Sequence, residues 1–218
     1  MKAHYSGIGM TSQRTRARMV ERLRKQGIRD EVVLTAMAEV PRHIFVEEAL
    51  ASRAYEDVSL PLGYGQTISS PYTVARMLEL LRAGKTIQRA LEIGTGCGYQ
   101  AAILSHLAQE VYTLERVVPL ANKARVRLRD LGISNVRVRQ ADGFAGFPDA
   151  APFDSIIVAA AATHVPQALL EQLAVGGRMV LPTGAHEQHL RVVERGAQSY
   201  IESVLETVKF VPMRAGME

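Results

Sequence analysis

The stretch that decides the fold of this chain is RALEIGTGCGYQAAILSHLAQEVY, residues 89–112. An apolar segment comes first, a glycine-rich turn and a helical pattern follow, and a second apolar run ends at Glu115. Apolar runs that alternate with helical patterns are typical of a parallel sheet built from strand–helix–strand units. A glycine turn that opens a helix in such a unit predicts a site for a nucleoside-bearing cofactor.

The spacing of the glycines distinguishes between two cofactors. Gly94, Gly96 and Gly98 form G-x-G-x-G, and Glu92 lies two residues ahead of them. The dinucleotide fingerprint is G-x-G-x-x-G, whose third glycine would fall where this chain has Tyr99. The spacing therefore favours S-adenosylmethionine (AdoMet) over NAD.

Length and composition fit one domain, residues 1–218, of which 47% are hydrophobic. Within it we expect a helical appendage and a substrate loop in 1–84, a cofactor-binding core in 85–185 and C-terminal strands in 186–218. The single Cys97 excludes an internal disulfide, and no secretory leader is recognisable. The apolar runs are shorter than the roughly 20 residues that cross a bilayer. We therefore expect a soluble cytoplasmic protein with no membrane partner.

The net charge of +4 and the pI of about 9.4 leave room for an anionic partner. Much of the excess positive charge lies in Arg14–Arg29. A solvated amphipathic helix is the favoured interpretation, and an RNA- or phosphate-binding face is the alternative. No aromatic residue alternates with these arginines to offer a stacking platform, so we expect no nucleic acid partner.

Helical spacing predicts two helices in the N-terminal part, over residues 12–26 and 30–40, with Asp30 as N-cap of the second. Residues 1–10 carry little apolar content and are expected to be frayed. A loop rich in proline and glycine is predicted from Leu60 to Ser70, directly before a helix N-terminus.

Strands and helices alternate after residue 88, which predicts an α/β fold with a doubly wound, mostly parallel sheet. Strands are expected near 89–93, 111–115, 136–140, 154–159 and 178–182. Helices are expected near 99–109, 119–131 and 165–174. Three antiparallel strands, near 190–193, 200–205 and 207–211 with Gly196 in the first turn, are expected to close one sheet edge.

Acidic residues end three successive strands, where ligands of such sheets bind. Glu92 is placed to face the amino-acid portion of the cofactor or to fix the glycine loop. Glu115 is placed to accept hydrogen bonds from the ribose hydroxyls, and Asp142, followed by Gly143, from the adenine amino group. Taken alone, each carboxylate is more readily interpreted as a capping group or as a solvated side chain. Their occurrence at successive strand ends favours cofactor binding.

Six ordered segments carry a resemblance to a known family. They are VPRHIFV at 40–46, YEDVSLPLGYGQTISSPYTVARM at 55–77, LEIGTGCGYQAAIL at 91–104, VYTLER at 111–116, FDSIIVAAAATHVPQALLEQLAVGGRMVLPTG at 153–184 and VKFVPM at 208–213. From Thr11 to Gly216 the chain resembles the bacterial protein-L-isoaspartate O-methyltransferases. The resemblance implies a Rossmann-like class I AdoMet-dependent methyltransferase that methylates the free α-carboxylate of L-isoaspartyl residues and leaves S-adenosyl-L-homocysteine.

The resemblance also implies roles for individual residues. The active-site serine of the family motif T-I-S-x-P is Ser69 here. Cofactor contacts are implied for Thr67, Ile68, Glu92, Gly94, Thr95, Gly96, Gly98, Glu115, Asp142, Gly143 and Gln188. The chain departs from many relatives in having Phe144 and Phe147 where they carry tryptophan, and an alanine run at 159–162 where they often carry threonine.

The implied chemistry asks little of the protein. An α-carboxylate with a pKa of about 3.3–3.7 is ionised at neutral pH, so the nucleophile needs no general base. Ser69 would donate a hydrogen bond that orients this carboxylate, while Ser70 is better placed to cap the next helix.

Other reactive residues are interpreted as non-catalytic. Cys97 lies at a helix N-terminus, where a thiol pKa can fall, but methyl transfer needs no covalent intermediate. His164, His186 and His189 have weak metal-ligand spacing, so we expect no metal.

Two alternative functions remain open, a methyltransferase acting on RNA or a small metabolite and a non-catalytic AdoMet-binding module. The expected partners are isoaspartyl-containing peptides and proteins, and the sequence leaves the oligomeric state open.

Overall fold

Nine strands and six α-helices form in the part of the chain that the computed structural model describes, residues 7–218. The strands are β1 (Leu60–Gly63), β2 (Gln66–Ile68), β3 (Ile87–Ile93), β4 (Ala108–Glu115), β5 (Val136–Gln140), β6 (Phe153–Val158), β7 (Leu173–Thr183), β8 (Gln188–Arg195) and β9 (Tyr200–Val208). The helices are α1 (Gln13–Lys25), α2 (Glu31–Glu39), α3 (Pro71–Arg82), α4 (Tyr99–Leu107), α5 (Val118–Asp130) and α6 (Gln167–Gln172).

Seven of the strands form one sheet in the order β5-β4-β3-β6-β7-β8-β9, and β1 and β2 form a separate hairpin. The strands β5, β4, β3, β6 and β7 are parallel, whereas β8 and β9 join antiparallel at one edge. The predicted doubly wound sheet with antiparallel C-terminal edge strands is therefore confirmed.

The strand β3 lies at the centre of the sheet, and both of its faces are covered. Ala90 and Leu91 are adjacent and fully buried, yet they belong to different hydrophobic clusters. Successive side chains of a strand point to opposite faces, so the two clusters are the two layers that cover the sheet. This explains why β3 is apolar over its last four residues, Ala90 to Ile93, apart from the buried Glu92.

The two predicted N-terminal helices are present as α1 and α2. Asp30 caps α2 by accepting from Val32 N and Val33 N, as expected from the sequence. It also pairs with Arg82 at the end of α3, at 2.7 Å. Fraying was predicted for residues 1–10, of which 1–6 lie outside the described residues. Gly9–Thr11 form a 3₁₀ turn.

The segment predicted as a loop from Leu60 to Ser70 contains the β1–β2 hairpin. Its two-residue turn, Tyr64 and Gly65, has φ values of 54° and 67°, as hairpin turns of this length require. Leu62 and Ile68 are buried under the hairpin, because they point to its inner side. The glycines that signalled a loop are the ones that allow the tight turn.

Several element boundaries also differ from the prediction. The helix predicted over 165–174 spans only Gln167–Gln172, because Pro166 is its N-cap and Leu173 already pairs with Phe153 as part of β7. The strand predicted over 200–205 is β9, which continues to Val208 and so includes only the first two residues of the strand predicted over 207–211. The β8–β9 pairing has a register shift between His189 and Arg191. Between residues 7 and 218 no helix combines the length and apolarity that crossing a bilayer requires.

Candidate active site

A cleft lies at the carboxyl ends of β3, β4 and β6. The hairpin β1–β2 covers one side, and the C-terminal segment Val211–Arg214 covers another. The predicted site residues that line the cleft are Thr67, Ile68, Ser69, Gly94, Thr95, Gly96, Glu115 and Gly143. Four predicted residues, Glu92, Gly98, Asp142 and Gln188, lie outside its lining.

The glycine turn between β3 and α4 adopts backbone conformations that favour glycine. Gly94, Gly96 and Gly98 have φ values of 94°, 53° and 90°. Space is tight at Gly98 as well, since an added Cβ would lie 3.3 Å from the Cβ of Ala124 on α5. Gly98 thus allows α5 to pack closely, whereas Gly94 and Gly96 bring backbone to the wall of the cleft.

Glu115, the last residue of β4, is buried and lines the cleft. Its Oε2 accepts a hydrogen bond from Gly96 N at 2.8 Å, and its Oε1 accepts one from Val117 N at 2.9 Å. A carboxylate offers about four acceptor positions, so each oxygen keeps one for a ligand. The geometry therefore suits a pair of neighbouring hydroxyl groups, such as those of a ribose.

Glu92 lies beneath the glycine turn and is fully buried. Its Oε2 accepts a hydrogen bond from the hydroxyl of Thr113 at 2.5 Å, and Thr113 Oγ1 lies 2.6 Å from Thr95 Oγ1. Thr113 thus links Glu92 to Thr95 in one buried chain of hydrogen bonds. Burial raises the pKa of Glu92 to about 8, although hydrogen bonding from Thr113 opposes the rise. Of its two predicted roles, the geometry supports fixing the loop.

Asp142 and Gly143 play different parts at the end of β5. Asp142 Oδ1 accepts from Phe144 N at 2.9 Å, and Oδ2 accepts from Gly216 N at 2.7 Å. The carboxylate thus caps its own turn and holds the C-terminal segment, while Gly143 lines the cleft. A Cβ at Gly143 would lie 2.4 Å from Ile93 Cγ2, so the close approach requires glycine.

Gln188, at the start of β8 and predicted as a cofactor contact, lies outside the cleft lining and binds the backbone of the C-terminal segment. Its side chain donates to Phe210 O at 3.1 Å and accepts from Phe210 N at 2.6 Å. Both polar atoms are thus engaged by the backbone of the segment that leads to Val211. Gln188 therefore holds in place, from outside the cleft, the C-terminal segment that covers it.

Ser69 follows β2 directly, is half-buried and lines the cleft. In the described range its hydroxyl has no hydrogen-bond partner, so it is free to donate to a ligand. The next residue, Ser70, caps α3 by accepting from Thr73 N at 3.3 Å, as the sequence predicts. Because Ser70 provides the helix cap, the Ser69 hydroxyl remains available to a ligand.

The C-terminal cover of the cleft was missed as a set of site residues. Ala161 N donates to Val211 O, and Met213 N donates to Ala161 O, both at 2.8 Å. These bonds join segments about 50 residues apart, which local spacing does not reveal. The segment VKFVPM at 208–213 could have identified this cover from the sequence, because it is one of the six segments that carry the family resemblance.

Cys97 and the histidines show no reactive arrangement. Cys97 is buried, and this burial raises the pKa of its thiol instead of lowering it. Among residues 7–218 no group of three or more His, Cys, Asp or Glu side chains could hold a metal ion.

A family model described as protein-L-isoaspartate(D-aspartate) O-methyltransferase matches residues 14–218. The chain belongs to the protein-L-isoaspartate O-methyltransferase family. Among curated relatives, a protein-L-isoaspartate O-methyltransferase of Dechloromonas aromatica is 62% identical over 213 residues, covering 97% of this chain and 99% of the relative. One of Methylobacillus flagellatus is 60% identical over 218 residues, covering 98% of each chain. The resemblance seen in the sequence is thus confirmed.

Solved protein-L-isoaspartate O-methyltransferases share the fold of this family member. One has a TM-score of 0.84 at 28% identity and covers 93% of this chain and 67% of its own. A second, from Plasmodium falciparum in complex with S-adenosyl-L-homocysteine, has a TM-score of 0.81 at 26% identity and covers 91% and 98%. The predicted class I methyltransferase fold is confirmed by these neighbours and by the sheet itself.

Proposed function

We propose that this chain transfers a methyl group from AdoMet to the free α-carboxylate of L-isoaspartyl residues in damaged proteins and peptides, which initiates their repair. The names of relatives about 60% identical to it support this activity. So does the solved neighbour bound to S-adenosyl-L-homocysteine, the product that AdoMet leaves. The observation that carries the proposal is one cleft lined by Glu115, the glycine turn and the unengaged hydroxyl of Ser69.

The residues of the cleft fit AdoMet. Glu115 offers two acceptor positions for the ribose hydroxyls, because its other two are filled by backbone amides. Gly94 and Gly96 bring main chain to the cleft, and Gly143 allows the adenine side to close against Ile93. When bound, AdoMet supplies an electrophilic methyl group on a sulfonium sulfur. The protein supplies the walls, the acceptors and the orientation.

Ser69 acts on the substrate side of the cleft. The hydroxyl donates a hydrogen bond to the isoaspartyl carboxylate and orients one oxygen for attack. The carboxylate is already ionised at neutral pH, so no residue has to remove a proton. Positioning is then the main contribution of the chain, and a half-buried hydroxyl next to a capped helix start is a rigid donor for it.

The test is a labelled-methyl assay on an isoaspartyl peptide and its aspartyl twin. We expect methylation of the isoaspartyl peptide alone. Ser69→Ala should lower turnover about 10- to 150-fold, the worth of one hydrogen bond to a charged group, and leave AdoMet affinity nearly unchanged. Ser12→Ala is the matched control, since Ser12 caps α1 away from the cleft, so its loss should cost stability and leave turnover intact. Equal turnover by Ser69→Ala and wild type would remove Ser69 from the reaction.

Three arginines of α1 make contacts within the protein, which reduces the positive charge that this helix offers to RNA. Arg16 is buried and donates to Glu39 O at 3.0 Å, and Arg22 donates to Tyr55 O at 2.8 Å. Arg24 pairs with Glu21 and Glu31. Positive charges that serve such internal contacts are poorly placed to neutralise phosphates. Adding RNA and small metabolites as acceptors to the same assay separates the methyltransferase alternatives, and AdoMet binding without any transfer would indicate a binding module.

We propose a cytoplasmic location, which is supported by the single cysteine of the chain, a buried free thiol.

A further inference from the structure

Arg42 lies behind Ser69 and is fully buried. It opens the 3₁₀ turn Arg42–Phe45 that follows α2. Its Nε donates to Ala54 O at 2.7 Å, and its Nη2 donates to Ser69 O at 2.7 Å. One planar guanidinium therefore connects a distant turn of the appendage to the backbone of the serine in the cleft.

The charge of Arg42 has no direct counter-ion. Over the described range, no carboxylate lies within 4.0 Å of its nitrogens. Asp57 attracts it from farther away, but that carboxylate accepts hydrogen bonds from Gln26 Nε2 and Tyr72 N. Among residues 7–218, no acceptor meets hydrogen-bond geometry with Nη1, although the nearby Tyr99 hydroxyl favours the charged form of Arg42. A buried cation without a close partner is costly, and apolar groups often replace buried charges without loss of stability.

Tyr99 provides a second contact that fixes the orientation of Arg42. The guanidinium carbon lies 4.8 Å from the centre of the Tyr99 ring, within the range of a cation–π interaction. Phe45 packs edge-on against the same ring, with ring centres 5.5 Å apart. The plane of the guanidinium is thus set by a ring that is itself packed, so its Nη2 points to Ser69 O in one geometry.

Ser69 has few degrees of freedom left once these contacts are counted. On one side, Ile68 belongs to β2, which pairs with β1. On the other side, Ser70 caps α3. Arg42 holds the carbonyl of Ser69 between these two anchors, so only the rotation of the hydroxymethyl group remains.

We propose that Arg42 is a positioning residue for methyl transfer, which fixes the backbone position from which the Ser69 hydroxyl projects and places a positive charge behind the anionic substrate group. This proposal rests on the proposed role of Ser69. A carboxylate that enters the cleft then meets a hydroxyl donor whose backbone is already in place, with a cation in the layer beneath.

A double-mutant cycle tests the proposal. Arg42→Lys keeps the charge but loses the planar pair of donors, and Arg42→Gln keeps donors without the charge. We expect Arg42→Lys to lower kcat on an isoaspartyl peptide by about 10- to 100-fold, as misplacement of a catalytic group does, with the dissociation constant of S-adenosyl-L-homocysteine changed less than about threefold. We expect Arg42→Gln to raise KM for the peptide as well. In a Ser69→Ala background, either substitution should change kcat by less than about twofold, because the hydroxyl that it positions is gone.

Arg16→Lys is the matched control. Arg16 is also buried and also donates to a backbone carbonyl, that of Glu39, but it does not contact Ser69. It should alter thermal stability without altering kcat. Binding of S-adenosyl-L-homocysteine reports that each variant is folded, and Arg42→Lys carries the test if Arg42→Gln fails to fold.

Two results would overturn the proposal, and they are distinguishable. Equal losses of kcat from Arg42→Lys in the wild-type and Ser69→Ala backgrounds would show that Arg42 acts on the fold alone. Full turnover by Ser69→Ala itself would remove the role of Ser69, and that of Arg42 with it.

Discussion

Replacing Glu115 with glutamine exchanges one carboxylate oxygen for an NH₂ group at the cleft. Both oxygens of Glu115 accept backbone hydrogen bonds, from Gly96 N at 2.8 Å and from Val117 N at 2.9 Å. Glutamine has one acceptor oxygen, so its NH₂ group would face one of these N–H donors. The turn that carries Gly96 would lose an anchor whichever way the amide is oriented.

The magnitude follows from the number of bonds lost. A hydrogen bond to a charged group contributes about 1.5–3 kcal/mol, so the unfolding free energy should fall by about that amount. If AdoMet uses the two remaining acceptor positions, one ribose hydroxyl also loses its partner. The dissociation constant for AdoMet should then rise about 10- to 150-fold.

Calorimetric titration of S-adenosyl-L-homocysteine, combined with denaturant unfolding, measures both effects. Glu110→Gln is the matched control on the same strand, because Glu110 makes half-exposed pairs with Arg89 and Arg137, both at 3.2 Å. Such pairs contribute about 0–1 kcal/mol. The control should bind the ligand as the wild type does. Glu115→Gln binding within about twofold of wild type would refute the assignment of Glu115 to the ribose.

Three further substitutions test other parts of the site. Gly143→Ala should lower the unfolding free energy by about 1–3 kcal/mol through its clash with Ile93, measured by denaturant unfolding, and unchanged stability would contradict the close approach. Because burial raises the pKa of Glu92 from 4.5 to about 8, the unfolded chain ionises first and wild-type stability should fall as pH rises through that interval. Glu92→Gln should flatten this fall, and parallel pH–stability curves would contradict it. Cys97→Ala should keep turnover within about threefold, since its buried thiol has a raised pKa, and a larger loss in the methylation assay would give the thiol a role.

Local patterns in the sequence were sufficient to predict the centre of the fold. The order of apolar strand, glycine turn and helix around Gly94 is contained within about 25 residues, and the structure reproduces it as β3, the turn and α4. The capping role of Ser70 was also predictable, because an N-cap directly before Pro71 has a recognisable signature.

Contacts between distant segments were not predictable in the same way. The acidic residues at the strand ends suggested three ligand contacts, yet Asp142 does not line the cleft, and its carboxylate accepts hydrogen bonds from Phe144 N and Gly216 N. Gln188 likewise binds the backbone of Phe210. Sequence position identifies which residues lie near the cleft, but the direction of a side chain depends on which backbone amides reach it. The resemblance predicted that Gln188 lies near the site. The structure shows that its side chain binds the backbone of Phe210 there.

The most direct measurement is a crystal structure with S-adenosyl-L-homocysteine and an isoaspartyl peptide bound together. The account predicts that the ribose hydroxyls lie within hydrogen-bond distance of Glu115. It also predicts that the isoaspartyl carboxylate accepts from Ser69 Oγ, between the hairpin β1–β2 and the C-terminal segment. A nucleoside bound away from the carboxyl ends of β3 and β4, or a carboxylate held without Ser69, would contradict it.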